Sequence, residues 1–192
     1  EGNLAPGTVL GSCSDTGGSW GPLYVAHQSQ LVRVPQNVSD ENAILLEPFC
    51  VALHPTLRHL PEDDETVLVL GAGTAGLCAV TALRALGSGA RIFVLAKHAF
   101  QGDLARRYGA DEVLYLDKGR DYYHTLAKLT GGKIYQPVLG KPVLVGGANL
   151  VYECVGNSGS VDDALRLAAP GGKVIFLGST GVAKGVDWTP FW

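Results

Sequence analysis

The sequence predicts an α/β chain built on a doubly wound parallel sheet in the order 3-2-1-4-5, preceded by a β-rich N-terminal remnant. Three observations carry that expectation. The first is the stretch Thr66–Leu86. There the apolar run Val67-Leu68-Val69-Leu70 leads into Gly71-Ala72-Gly73-Thr74-Ala75-Gly76, and then into a helix-period series, Leu77, Val80, Leu83 and Leu86. The second is the alternation that follows: strand-like runs at Arg91–Leu95, Glu112–Tyr115, Leu150–Val155 and Lys173–Leu177 are separated by helix-like stretches at Ala99–Tyr108, Asp121–Leu129 and Val161–Leu167. Such alternation gives parallel strands joined by helices, and right-handed crossovers set their order. The third is the contrast with residues 1–35, where glycine and proline interrupt the chain every few residues.

Taken in order, Leu23–Ala26 and Gln30–Val34 read as short strands, with too few apolar residues around them to build a core of their own. Residues 1–38 are therefore assigned to the remnant of a β-rich domain. Ser39 is placed as a helix cap with Asp40 and Glu41 in the first turn, and the helix continues to Glu47. Pro48 suits the first turn of a new helix, which carries Phe49, Val51, Ala52 and Leu53 and ends near Pro55 or Leu60. Residues 39–60 are thus connecting helices, and 61–192 the sheet domain, entered through the acidic loop Pro61–Glu65. Gly109 is read as a helix C-terminal cap, and Pro170-Gly171-Gly172 as the stop of the last helix. Residues 133–148, with two prolines, read as an irregular insertion.

Composition limits what the chain can do. It has 192 residues, 46% hydrophobic and 17% charged, as in an ordinary globular protein. A net charge of −3 without a basic block argues against nucleic acid as a partner. No apolar run reaches membrane-spanning length and no signal peptide opens the chain, so no membrane partner is expected. Cys13, Cys50, Cys78 and Cys154 lie far apart with no CxxC pair. Neither a disulfide framework nor a zinc cluster made by this chain alone is expected, and a reducing, cytoplasmic setting fits. The absence of methionine, even at position 1, reads as a piece of a longer protein.

The glycine turn carries the chemistry. GxGxxG between a strand and a helix is a dinucleotide fingerprint. Gly71 allows the tight turn, Gly73 lets backbone approach a pyrophosphate, and Gly76 lets the helix pack against the strand. Amides at the helix start, at Thr74 and Ala75, hold the phosphates. The ligand should lie across the C-terminal ends of the strands, which brings Gly71–Gly76, Ala96–His98, Val155-Gly156 and Gly178-Ser179 around one crevice. NAD-binding sites of this type place an acid about 20 residues past the glycines, on the ribose hydroxyl. Here that position is Ala96, followed by Lys97 and His98. A small residue leaves room for a 2′-phosphate and Lys97 can pair with it, so NADP(H) is expected over NAD(H).

The order of motifs is Leu31–Pro35, Leu46-Glu47-Pro48, Val67–Gly76, Tyr108-Gly109-Ala110-Asp111, Glu153–Gly156 and Pro170–Gly178. It resembles a zinc-dependent medium-chain dehydrogenase/reductase of the alcohol, polyol and threonine dehydrogenase group. The resemblance implies a Rossmann-like cofactor domain with a strip of a GroES-like catalytic domain, lacking the last strand of the sheet. It implies an oxidoreductase that moves a hydride between NADP(H) or NAD(H) and a small alcohol, polyol or carbonyl substrate, and a homo-oligomer. It also implies that Glu47 ligates or adjoins a zinc ion in the full-length enzyme. One carboxylate does not hold zinc where catalytic sites need about three protein ligands, so little or no zinc is expected on this chain alone. His54 and His59 fit no ligand pattern. By the same resemblance the strand ends Val155-Gly156 and Leu177-Gly178 face ribose and nicotinamide. Cys154 reads as a small buried residue. A zinc-free quinone or enoyl reductase and a non-catalytic nucleotide-binding module remain as alternatives. Lys173–Leu177, as an open sheet edge, is expected to promote self-association or disorder after Gly178.

Overall fold

From Thr66 onwards the apolar runs become strands close to where the sequence places them. In the computed structural model, which describes residues 11, 17–116, 121–179 and 181–191, the strands are β1 (Thr66–Leu70), β2 (Arg91–Ala96), β3 (Glu112–Tyr115), β4 (Lys133–Tyr135), β5 (Val143–Val145), β6 (Ala148–Glu153) and β7 (Ala168–Phe176). Five of them form a parallel sheet in the order β3-β2-β1-β6-β7, which is the expected 3-2-1-4-5 when the main-sheet strands alone are counted. The chain divides into two units, Glu1–Ile44 and Leu45–Trp192, and the whole sheet belongs to the second.

The first unit carries helix α1 (Asp40–Ala43). In the second unit, helices α2 (Leu46–Arg58), α3 (Thr74–Ala85), α4 (Ala99–Arg107), α5 (Asp121–Thr130) and α6 (Ser158–Leu167) cover both faces of the sheet. Alternate strand residues point to opposite faces. Val67, Val69, Ile92 and Val94 pack with Ala52 of α2, Val80 and Leu83 of α3 and Ala105 of α4. Leu68, Leu70, Phe93 and Leu95 pack with Leu126 of α5, Leu167 of α6 and Leu144 of β5. Burial on both faces explains why the β1 and β2 sequences are continuously apolar rather than alternating.

In the first unit, Leu23–Ala26 and Gln30–Val34 are not strands. The described residues there form a short 3-10 turn, Gln28–Gln30, and irregular chain. Leu23, Val25 and Val32 are exposed. Among the described residues neither segment has a ladder partner to satisfy its backbone, and β-propensity alone does not make a strand. Helix α1 begins at Asp40 as expected, but the Ser39 side chain makes no cap bond.

Helix α2 starts with Pro48 in its first turn and runs past Pro55 to Arg58, so Pro55 does not end it. Proline there removes one backbone bond, and the next turn is held by side chains. The Thr56 hydroxyl donates to Ala52 O (2.8 Å) and meets the Tyr152 hydroxyl of β6 (2.8 Å), both residues being fully buried. Strand β7 begins at Ala168 rather than Lys173 and includes Pro170. Its register against β6 shifts between the Ala148 and Leu150 pairs, and this edge irregularity accommodates a residue with no N–H.

Residues 133–148 are not an irregular insertion. Strands β4 and β5 form an antiparallel hairpin whose Leu144 sits in the core. An ion-pair network latches its loop. Arg166, 2% exposed, donates to Lys141 O (3.0 Å), Asp162 (3.2 Å) and Asp187 (2.8 Å), while Lys141 pairs with Asp162. Hydrogen bonds from Thr189, and then from Arg166, lower the Asp187 carboxyl from its ordinary 3.8 to about 2. A lowered value means that the folded state favours the charged form, so this stabilisation is present above pH 3.8 and is lost as pH falls towards 2. Thermal unfolding should therefore show the gap between wild type and Asp187→Asn closing over that window. A constant gap would remove Asp187 from the latch.

Candidate functional site

Strand β1 ends at Leu70, and the chain must turn at once to begin α3. Gly71 makes the turn at φ +97°, and its amide bonds to Leu95 O of β2 (3.0 Å). A Cβ there would meet Val155 Cγ2 at 2.6 Å, so Val155 closes over the turn from the end of β6. Gly73 caps α3 and is exposed, with nothing within 4 Å of where a Cβ would sit. The first helical bond runs from Leu77 N to Gly73 O (2.9 Å), so the amides of Thr74, Ala75 and Gly76 open the first turn without intrahelical acceptors. Gly76 is buried, and a Cβ on it would lie 1.9 Å from Gly71 O. The three glycines therefore stand in three different settings: a left-handed turn at Gly71, open space at Gly73 and close helix–strand packing at Gly76.

Above them lies a crevice of about 460 Å³ at the C-terminal ends of β1, β2 and β6, within the roughly 300–1,000 Å³ of small-molecule sites. Of the residues named from sequence, Gly71, Gly73, Ala96, Lys97 and Val155 line it. Thr74, Ala75 and Gly76 belong to the adjoining helix start, and Gly156 follows Val155. His98 is exposed and stacks on Phe100 (5.8 Å between ring centres) rather than lining the crevice. Leu177 and Gly178 also stand behind the lining, with both amides donating to Glu153 O (2.8 Å each).

Several lining residues escape the sequence reading. Gln101 faces the crevice, and its Oε1 accepts from the amides of both Lys97 and His98 (3.1 Å each). The sequence signal is a capping glutamine three residues into α4, hidden because His98 rather than Ser or Thr precedes it. Tyr122 and Asp163 close the far end. Both the Tyr122 and Tyr123 hydroxyls donate to Asp163 (2.7 and 2.8 Å), a contact across some 40 positions that no local pattern announces. Cys154 lines the crevice as well, and burial, then the neighbouring Glu153, push its thiol well above the usual cysteine range. It is no ready nucleophile.

Glu47 is exposed in the first turn of α2, and His54 and His59 are exposed too. Among the described residues no three His, Cys, Asp or Glu side chains come together as metal ligands. The donor set for a zinc ion is thus not met by the described residues. Nor, among them, is any helix long and apolar enough to cross a membrane.

Comparisons with known proteins agree with this geometry. The family profile described as zinc-binding dehydrogenase matches residues 75–192. An L-threonine 3-dehydrogenase from Rhizobium etli (strain CIAT 652) is 30% identical over 189 residues, 98% of this chain and 50% of the relative. A crystal structure of an Escherichia coli CFT073 alcohol dehydrogenase complexed with NADH superposes with a TM-score of 0.67 at 22% identity, over 83% of this chain and 43% of that one. A Sinorhizobium meliloti 1021 protein solved bound to NADP superposes with a TM-score of 0.62 at 26% identity, over 82% of this chain and 42% of that one. The chain spans about half the length of the curated relatives it matches.

Proposed function

The chain belongs to the zinc-binding dehydrogenase family, and from that premise we propose that its crevice binds a nicotinamide dinucleotide, NADP(H) in preference to NAD(H), for hydride transfer to or from a small alcohol, polyol or carbonyl compound. The observation that carries the reading is the glycine turn, with Gly73 open to the crevice and the α3 amides behind it. When bound, the dinucleotide supplies the hydride chemistry. The chain's own residues bind and orient it. The Thr74–Gly76 amides hold the diphosphate, Val155 covers the glycine turn, and Lys97 meets a 2′-phosphate beside Ala96, where no acid stands to repel it. His98 stands next to Lys97 outside the crevice, and the backbone at Gly156, Leu177 and Gly178 supports the nicotinamide half.

Glu47 is proposed as one ligand of a metal site that needs residues other than those described, and no step is routed through it. The free thiols of Cys50, Cys78 and Cys154 accord with a reducing, cytoplasmic setting. β7, at the edge of the sheet, is where a second copy would pair, and sedimentation at the mass of one copy would overturn that pairing.

The test is a titration with NADPH and, separately, NADH, followed by nucleotide fluorescence. Tighter binding of NADPH is expected. Tighter NADH binding would retain the dinucleotide site and overturn the phosphate assignment, and binding of neither would overturn the site. Glu47→Gln should leave both affinities unchanged while lowering turnover of the full-length enzyme; a change in affinity would place Glu47 elsewhere in the mechanism.

A further inference from the structure

Glu153, the last residue of β6, is fully buried, yet among the described residues its Oε2 is the one buried side-chain N or O atom without a hydrogen-bond partner. A native structure holds few such groups, and each calls for an explanation. The other half of the residue supplies it. Oε1 accepts from the amides of Val155 and Gly156, both at 2.9 Å. The backbone oxygen of the same residue accepts from Leu177 and Gly178, both at 2.8 Å. One residue therefore collects four amides from the ends of the two strands beside the crevice.

The packing around it leaves little slack. A Cβ on Gly178 would lie 2.2 Å from Gly156 N and 2.5 Å from Glu153 Oε2, so the two strand ends meet backbone to backbone over the carboxylate. Gly156, at φ +76°, turns the chain directly after Val155. Val155 in turn reaches the glycine turn, its Cγ2 being 2.6 Å from where a Gly71 Cβ would be. A continuous path of contacts thus runs from a buried carboxylate to the backbone of the GxGxxG turn.

We propose that Glu153 is a positioning residue: its carboxylate fixes the Val155-Gly156 turn against Gly71 and so sets the width of the crevice where the dinucleotide lies. This rests on the dinucleotide reading above. Glu153 touches no ligand, because its carboxylate is sealed beneath the strand ends. It acts through the side chain of Val155 and the backbone of Gly156. A shorter or apolar side chain releases both amides, whereas a glutamine retains an acceptor oxygen for them.

The test compares Glu153→Ala, Glu153→Asp and Glu153→Gln with Tyr152→Phe, a buried change on the same strand whose hydroxyl contact is to Thr56 of α2. Three readouts are taken: amide hydrogen exchange at Val155 and Gly156 without nucleotide, the dissociation constant for NADPH, and the midpoint of thermal unfolding. Glu153→Ala and Glu153→Asp should speed exchange at both amides and raise the NADPH constant by about tenfold, the scale set by losing a buried hydrogen bond. Glu153→Gln should restore both to within about twofold of wild type. Tyr152→Phe should lower the midpoint and leave exchange and affinity alone. Should the alanine variant not fold, the aspartate variant carries the comparison. Unchanged exchange at the two amides, or affinity that tracks the midpoint through all four variants, would overturn the proposal. If the wild-type chain binds neither dinucleotide, the cofactor reading fails, and exchange at Val155 and Gly156 still decides whether Glu153 holds the turn.

Discussion

Gly73→Ala is expected to leave the fold standing and remove most dinucleotide binding, while Gly76→Ala, three residues on, strongly destabilises the fold itself. The two positions differ in what a methyl group meets. At Gly73 nothing lies within 4 Å and the backbone is extended (φ −85°), a conformation alanine adopts freely. Losing glycine as the helix cap costs about 1 kcal/mol, and the lower entropy of the unfolded chain offsets part of it. The new methyl projects into the space the diphosphate would occupy. Overpacking by one methyl group costs roughly 1–3 kcal/mol, so affinity for NADPH should fall by about one to two orders of magnitude. At Gly76 the methyl would sit 1.9 Å from Gly71 O and 3.2 Å from Val69 Cγ1. The obstacle is backbone, which cannot rotate aside, and relieving it means pushing α3 off β1. A loss of at least ~3 kcal/mol follows, or a fall in unfolding midpoint of roughly 6–12 °C for a domain of this size. Calorimetry with a nucleotide titration separates the two variants. Equal midpoints would refute the packing role of Gly76, and unaltered affinity in Gly73→Ala would refute the approach of a ligand at that turn.

The same contrast shows what the sequence could disclose. Local features were legible. The β1–turn–α3 unit and the places of Gly71, Gly73, Ala96 and Lys97 follow from runs, periods and spacings within some 20 residues of one another, and the strand order and the place of Val155 at a strand end follow from the alternation of such runs along the chain. Features that depend on distant partners were not. The β4–β5 hairpin carries no two-residue glycine turn to announce it, and it forms because Leu144 finds a place in the core and Lys141 finds Asp162. Of the two ends the sequence offers for α2, Pro55 and Leu60, the helix ends near the second, at Arg58, and what carries it through Pro55 is not local: Thr56 is bonded to Tyr152, 96 positions away. The first-unit strands fail for the converse reason: the right residues are present without a described neighbour to pair with. At the site, Asp163 is an unremarkable helical acid until α5 delivers two tyrosine hydroxyls to it. Glu153 sits in a motif the sequence reading already used, but its buried, half-satisfied carboxylate is a property of packing alone.

Ala96→Asp is expected to reverse the choice of dinucleotide. Ala96 ends β2 fully buried, at the rim of the crevice, and Lys97 beside it is exposed. The backbone amides at Lys97 and His98 are already taken by Gln101 Oε1. A 2′-phosphate at this corner must therefore be met by side chains, with Lys97 the cation on the crevice wall. An aspartate at position 96 changes both halves of the balance. Its carboxylate can accept from the ribose hydroxyls of NADH, and it repels the phosphate of NADPH across a partly desolvated gap. Juxtaposed like charges cost several kcal/mol, so the NADPH/NADH affinity ratio should fall by about two orders of magnitude. Burying a carboxylate at a fully covered position also lowers stability, and the ratio is the safer readout because that loss affects both nucleotides alike. Lys97→Ala isolates the other half. It should weaken NADPH by about tenfold and flatten its salt dependence, since exposed charge pairs are screened, while NADH binding stays as it was. If the ratio does not move in either variant, the 2′-phosphate does not lie at Ala96–Lys97, and the absence of an acid there says nothing about cofactor choice.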